Sequence, residues 1–195
     1  MLKAKDFKFI YSIFNAPVCN FDCGAVCSLK NEGVPVCCEH NVVIPVLHDT
    51  ELEYLKKHSK IWEEFVPKSK ADRKLVGTCG YGEVLAVCGG HLKCDRRYRG
   101  LVCRTFPFYP YIDKDADFTG LTYNYDFEGK CVLIGRPKLI NKDYIDNFMR
   151  AWSYVFDLDD CEFEAQFAMS RDIEDKRKRK SKPMHIISKD GVSCL

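Results

Sequence analysis

Five thiols crowd one stretch of twenty residues: Cys19, Cys23, Cys27 and the adjacent pair Cys37 and Cys38. Asp22, Gly24, Asn31, Gly33 and Pro35 stand between them, and these residues favour turns over a continuous helix or strand. A backbone that turns repeatedly aims several sulfurs at one point, as a soft metal ion or an iron–sulfur cluster requires. The stretch therefore reads as a cysteine-rich metal-binding loop, and the rest of the chain must supply a core to hold it.

The core is not in short supply. A chain of 195 residues buries roughly 70% of its unfolded surface, so its 12 cysteines are not needed as staples. Charged residues interrupt every short apolar run in Met1–Ile10, which leaves no signal-peptide core. No run of about 18 uncharged apolar residues occurs, so no membrane span and no membrane partner is expected. The expected location is cytoplasmic, where thiols stay reduced and dense cysteines point to metal or redox chemistry before disulfides. A net charge of +2 asks for no nucleic-acid partner.

Along the chain the pattern predicts one α+β domain over 1–195, with a metal-binding core over 17–112 and further strands and helices over 113–195. It has short antiparallel hairpins and about three helices. Residues 5–14 are aromatic and β-branched and read as a short strand or a lead-in packed on the core, and 41–47 as an extended segment. Thr50-Glu-Leu-Glu53 matches a capping box, opening a helix that runs through Leu52, Leu55, Trp62 and Phe65. His58 on that helix reads as an ordinary hydrogen-bonded histidine before a ligand. Val84–Cys88 and His91–Cys94 read as a hairpin about Gly89-Gly90. The glycines of Gly77–Gly82 precede strand-like sequence, so they lack the helix N-terminus that would hold a phosphate. Leu121, Tyr123, Tyr125 and Phe127 alternate as a half-buried strand, with Cys131–Ile134 as its hairpin partner. Helices are expected near 141–156, with Ile145, Phe148, Met149, Trp152 and Val155 on one face, and near 161–178. A last hairpin turns at Asp190-Gly191.

A second thiol segment, Cys94-x8-Cys103, lies between a strand end and a turn stiffened by Pro107 and Pro110. Arg104 beside Cys103 would offset the negative charge of iron-bound thiolates, a cofactor-binding role; its alternative is a surface ion pair. The five cysteines ending in Cys37-Cys38, together with Cys94-x8-Cys103-Arg104-Thr-Phe106-Pro107-Phe108, resemble the YkgJ-type zinc- or iron-chelating cysteine-cluster family. That family is named for a CxxCxxCC motif followed by a Cys…CysArgxPheProPhe segment. The resemblance covers residues 17–112 and implies an iron or zinc site. The flagellin lysine N-methylases share this domain, so it also implies S-adenosylmethionine-dependent protein-lysine modification as one activity.

The chain departs from the motif: its first cysteines run Cys-x3-Cys-x3-Cys, and the double cysteine comes some ten residues later. Cys27 and Cys37 thus compete for one position, and Gly100 stands where relatives commonly carry proline. The expected metal ligands are Cys23, Cys27, Cys38 and Cys103, with Cys19, Cys37 and Cys94 as alternates. Cys79, Cys88, Cys131, Cys161 and Cys194 read as free cysteines of core or tail. The chain has no CxxC zinc knuckle, which favours a 4Fe-4S cluster over zinc. No Ser–His–acid set or His-Glu-x-x-His helix occurs, so any reaction must come from the metal. The functional classes are then a redox or cluster-supported modifying enzyme, a structural zinc-binding docking module, or the lysine methylase. A protein partner or protein substrate suits each. Lys176–Lys180 could dock an acidic protein or a nucleic acid but reads first as a solvated helix end.

Overall fold

Leu2, Phe7, Ile10 and Tyr11 recur at helical spacing. In the computed structural model, which describes residues 1–39 and 44–195, they lie on or beside helix α1 (Ala4–Ile13), where all four are buried. The strand expected over 5–14 is therefore a helix: a buried apolar stripe outweighs the β propensity of its aromatic and branched residues. The remaining elements are α2 (Cys23–Ser28), β1 (Val46–His48), α3 (Asp49–His58), β2 (Trp62–Glu64), α4 (Lys70–Val76), β3 (Glu83–Cys88), α5 (Leu101–Thr105), β4 (Phe108–Ile112), β5 (Phe118–Tyr123), α6 (Lys142–Leu158), α7 (Asp160–Arg179), β6 (His185–Ser188) and β7 (Gly191–Cys194). The α+β class holds. The expectation of about three helices does not: seven α-helices lie among the described residues, because α2, α4 and α5 are too short to show a hydrophobic period. Residues 41–43 of the expected extended segment lie outside the described residues.

The chain divides into two compact units, one built from 2–11 and 37–104, the other from 1, 12–36 and 105–195. In the 37–104 unit, β3 is the middle strand of an antiparallel sheet ordered β1-β3-β2, with Val46 opposite Leu85 and Trp62 opposite Cys88. The expected hairpin over 84–94 is replaced by these longer-range pairings, and His91–Lys93 forms a 3-10 turn. Helix α3 starts at Asp49 behind His48 with no side-chain cap and ends at His58, so the capping box at Thr50 does not form. Trp62 belongs to β2 instead, where its indole N–H donates to the Tyr98 carbonyl at 2.8 Å. The capping box of the unit is at Ser69, whose hydroxyl accepts from the Asp72 amide at 3.0 Å and opens α4.

The second unit carries the sheet β4-β5-β6-β7, antiparallel throughout. The hairpin at Asp190-Gly191 forms as β6 and β7, but Cys131–Ile134 is a turn and β5 pairs with β4 and β6. At Gly120 in β5 a Cβ would stand 2.5 Å from the Ile187 carbonyl oxygen, so only glycine allows this approach of β6. Helix α6 buries Tyr144, Ile145, Phe148, Ala151, Trp152 and Val155, the stripe its sequence announces. Its Phe148 ring packs 5.9 Å from Phe14, 6.4 Å from Phe108, 6.1 Å from Tyr144 and 6.2 Å from Trp152. At the end of α7 the basic run is not wholly solvated: Arg177 is buried, bonded to Glu128 at 3.0 Å and to the Pro183 carbonyl at 2.6 Å, over the Tyr125 ring. Among the described residues no helix is long and apolar enough to cross a membrane.

Candidate metal centre

All twelve cysteines carry free thiols, and nine of them fall into two neighbourhoods, one in each unit. The site residues expected from sequence divide accordingly: Cys19, Cys23 and Cys27 lie in the unit of 12–36 and 105–195, and Cys37, Cys38, Cys94, Cys103 and Arg104 in the unit of 37–104.

In the 37–104 unit the adjacent Cys37 and Cys38 end a 3-10 turn with their sulfurs 3.9 Å apart. Cys88 ends β3, Cys94 follows the 3-10 turn His91–Lys93, and Cys103 sits in α5. Burial pushes the Cys103 thiol up to about 12, and the charges of Cys88 and Cys38 add to this while Arg99 opposes it. Burial also raises Cys88; the Gly90 amide pulls it down, and Cys38 and Cys94 push it up. Within the adjacent pair, the hydrogen bond between the two sulfurs raises Cys37 and lowers Cys38 to about 7, with Arg99 and Arg96 favouring the Cys38 thiolate. Cys38 thus acts on Cys37, Cys88 and Cys103, and Cys94 acts on Cys88.

Arg99 is the cation facing them. Its Nε donates to Cys94 Sγ at 3.3 Å. Burial works against its charge, but that hydrogen bond and the charges of Cys94, Cys37 and Cys38 hold it above its ordinary value. The Arg104 guanidinium is placed differently. It donates to the carbonyls of Arg99 at 2.8 Å and Arg97 at 2.7 Å and lies 4.2 Å from the centre of the Tyr11 ring. It thereby ties the 96–99 segment to α5.

A buried carboxyl, marked by no metal-ligand motif, stands at the start of α5. Glu51 is 1% exposed; it accepts the Tyr11 hydroxyl at 2.5 Å and the Leu101 amide at 2.6 Å. The second bond satisfies an open N–H at the start of α5 and fixes the helix that carries Cys103. Burial raises the Glu51 pKa, although Tyr11 and the Leu101 amide pull against it. An acid whose folded value is raised stabilises the fold below its unfolded value, and that contribution is lost as pH rises through the folded value. Glu51→Gln should therefore remove a component of stability that declines from about pH 4.5 upward. Each pH unit between the two values is worth about 1.4 kcal/mol. Urea denaturation of both proteins across pH checks this; a constant difference between them would mean that Glu51 titrates at the same pH in the folded and unfolded chain.

The other unit holds Cys19, Cys23, Cys27 and Cys131. Asp22 caps α2 by accepting the Ala25 amide at 3.0 Å, which places Cys23 and Cys27 one turn apart on one face. Burial pushes the Cys23 thiol up to about 12, and Cys19, Cys131 and Cys27 add to it. Burial raises Cys131, while the amides of Leu133 and Ile134 pull it down. Among the described residues, no three or more His, Cys, Asp or Glu side chains are gathered as the ligands of a single ion.

Cys88 and Cys131, read from sequence as free core cysteines, thus belong to thiol groups. The traces they leave are Gly90 two residues after Cys88 and Gly135 four after Cys131, both at positive φ. Arg99 and Glu51 leave none. Cys79 neighbours Glu83, while Cys161 and Cys194 are exposed. His58 packs against Tyr54 and Tyr98 at 4.6 and 6.0 Å. Comparison with protein-family models, curated proteins and solved structures finds no match.

Proposed function

We propose that the chain is an iron–sulfur protein whose 37–104 unit holds a 4Fe-4S cluster, serving one-electron transfer or a cluster-supported modification of a protein substrate. The observation that carries this reading is the Arg99 guanidinium bonded to Cys94 at 3.3 Å and facing the adjacent sulfurs of Cys37 and Cys38, 3.9 Å apart, with Cys88 and Cys103 under the electrostatic influence of the same group. The donor set fits a cluster. All donors are soft, and burial and mutual repulsion disfavour several free thiolates at once, a cost that iron removes by ligation. A single zinc ion at about 2.3 Å from each sulfur draws its ligands together tightly. A cluster binds each thiolate through a different iron and so suits a wider arrangement.

Cys38, Cys88, Cys94 and Cys103 would hold the cluster, and Cys37 would donate a hydrogen bond to the Cys38 sulfur. The cluster would supply a site that takes up and releases a single electron. Arg99, as hydrogen-bond donor to Cys94 and as a fixed positive charge, would favour the reduced state. The likeness of Cys103–Phe108 to the YkgJ-type segment supports the same assignment.

Purification without oxygen, followed by iron, zinc and acid-labile sulfide analysis and paramagnetic spectra before and after reduction, tests this. Iron and sulfide in equal amounts and a signal that changes on reduction are expected. Zinc without sulfide would overturn the cluster and leave a structural, partner-docking module.

A further inference from the structure

Between the buried Trp62 of β2 and the buried Leu85 of β3, no residue of the chain is buried. This excursion carries α4, none of whose residues enters the core. Helices in folded proteins draw most of their stability from an apolar face packed on another element, and α4 rests on local bonds instead. The Asp72 carboxylate accepts the amides of Lys68 and Ser69, each at 2.8 Å, and the Ser69 hydroxyl completes the capping box. At the other end the Gly77 amide donates to the Arg73 carbonyl at 3.1 Å and the Thr78 hydroxyl to the Leu75 carbonyl at 2.7 Å. The base of the excursion is held by the Phe65 amide on the Leu85 carbonyl at 2.9 Å and the Asp49 amide on the Gly82 carbonyl at 2.8 Å. The backbone is thus fixed at its base and at both helix ends, while the side chains stay open.

Those side chains are of two kinds. Leu75 and Val76, in the last turn of α4, are 40% and 38% exposed, and Tyr81 beyond it is 88% exposed. Lys70, Arg73 and Lys74 stand three and four residues apart, which puts them on one side of the helix, where like charges repel. Lys68 precedes them, and Arg73 lies one turn before Val76. None of the four cations forms an ion pair among the described residues. The one carboxylate within 66–82, that of Asp72, is taken up by the capping box.

Exposed apolar side chains flanked by charged ones are the anatomy of a protein–protein interface, whose apolar centre has a polar rim. A nucleic acid would meet the cations but leave Leu75 and Val76 without apolar cover. A membrane surface binds in proportion to the apolar area it buries, and two aliphatic side chains and one ring offer little. We propose that the 66–82 arm is a docking site for a partner protein that presents an acidic segment with apolar residues among its carboxylates. The carboxylates pair with Lys68, Lys70, Arg73 and Lys74, and the apolar residues cover Leu75, Val76 and Tyr81. No thiol of the chain takes part, so the docking site stands or falls apart from the cluster.

The test pans the full chain against a displayed library of random peptides. Enrichment of Asp and Glu together with aliphatic or aromatic residues is expected. The enriched peptides, followed by fluorescence anisotropy, should bind more weakly as salt rises. Their affinity should fall at least about tenfold in Lys70→Glu/Lys74→Glu and in Leu75→Ser/Tyr81→Ser. All four positions are exposed, so both variants should melt with the parent and keep its metal content. Peptides without an acidic excess, or peptides that bind the variants as tightly as the parent, would overturn the proposal. So would preference of the same residues for duplex DNA or for vesicles of anionic phospholipid over the peptides.

Discussion

Cys103→Ser, purified without oxygen, is expected to lose the iron and sulfide of the cluster proposed for the 37–104 unit, with affinity falling more than about 100-fold. Groups that merely bond to metal ligands cost roughly 10–100-fold when removed, and a ligand should cost more. Serine keeps nearly the volume of cysteine but offers a hard, protonated oxygen where a soft thiolate is required. The backbone that presents it should persist: Glu51 still accepts the Leu101 amide, and the amides at 103 and 104 still donate to the Gly100 carbonyl. The metal-free variant should therefore melt close to the metal-free parent. The loaded parent should melt well above both, because metal-binding free energy adds to folding free energy. Calorimetry of loaded and stripped proteins, alongside iron analysis, makes the comparison. Unchanged iron in the variant would remove Cys103 from the ligand set.

Phe148→Ala should be the most damaging substitution among the apolar residues of the other unit. Phe148 is fully buried and its ring meets Phe14, Phe108, Tyr144 and Trp152, so truncation empties the centre of an aromatic cluster. Such changes cost about 3–5 kcal/mol, against a total of about 5–15 kcal/mol for a typical domain. A large fall in the urea midpoint is expected, with a smaller one for Phe148→Leu, which refills part of the space. A loss below about 1 kcal/mol would show that the cluster collapses without penalty.

What the sequence disclosed depended on the range of the interaction concerned. Helix α6 was legible because a buried stripe repeats in every turn, and the terminal hairpin because Asp190-Gly191 names its own turn. Helix α1 was not: its aromatic and branched residues satisfy strand propensity equally well, and only burial against distant residues decides. Trp62 shows the same limit. Its spacing continues α3, yet it pairs with Cys88 across β3.

The thiols divide along the same line. Cys19, Cys23, Cys27, Cys37, Cys38, Cys94 and Cys103 announced themselves by sequence density. Cys88 and Cys131 did not, because the fold brings them to their partners from a distance. Arg104 drew attention as the neighbour of Cys103, but its helix turns it to backbone carbonyls and to Tyr11, and the guanidinium against a cysteine sulfur is that of Arg99.

The two tryptophans of the chain give each unit its own optical reporter: Trp62 lies in the 37–104 unit and Trp152 in the other. Both are buried, at 3% and 6% exposure, but the Trp62 indole N–H is bonded to the Tyr98 carbonyl, whereas that of Trp152 has no partner among the described residues. A hydrogen-bonded indole emits at longer wavelength than an unbonded one in an apolar site. The fluorescence of the native chain should therefore be a sum of two bands of different colour, one from each unit.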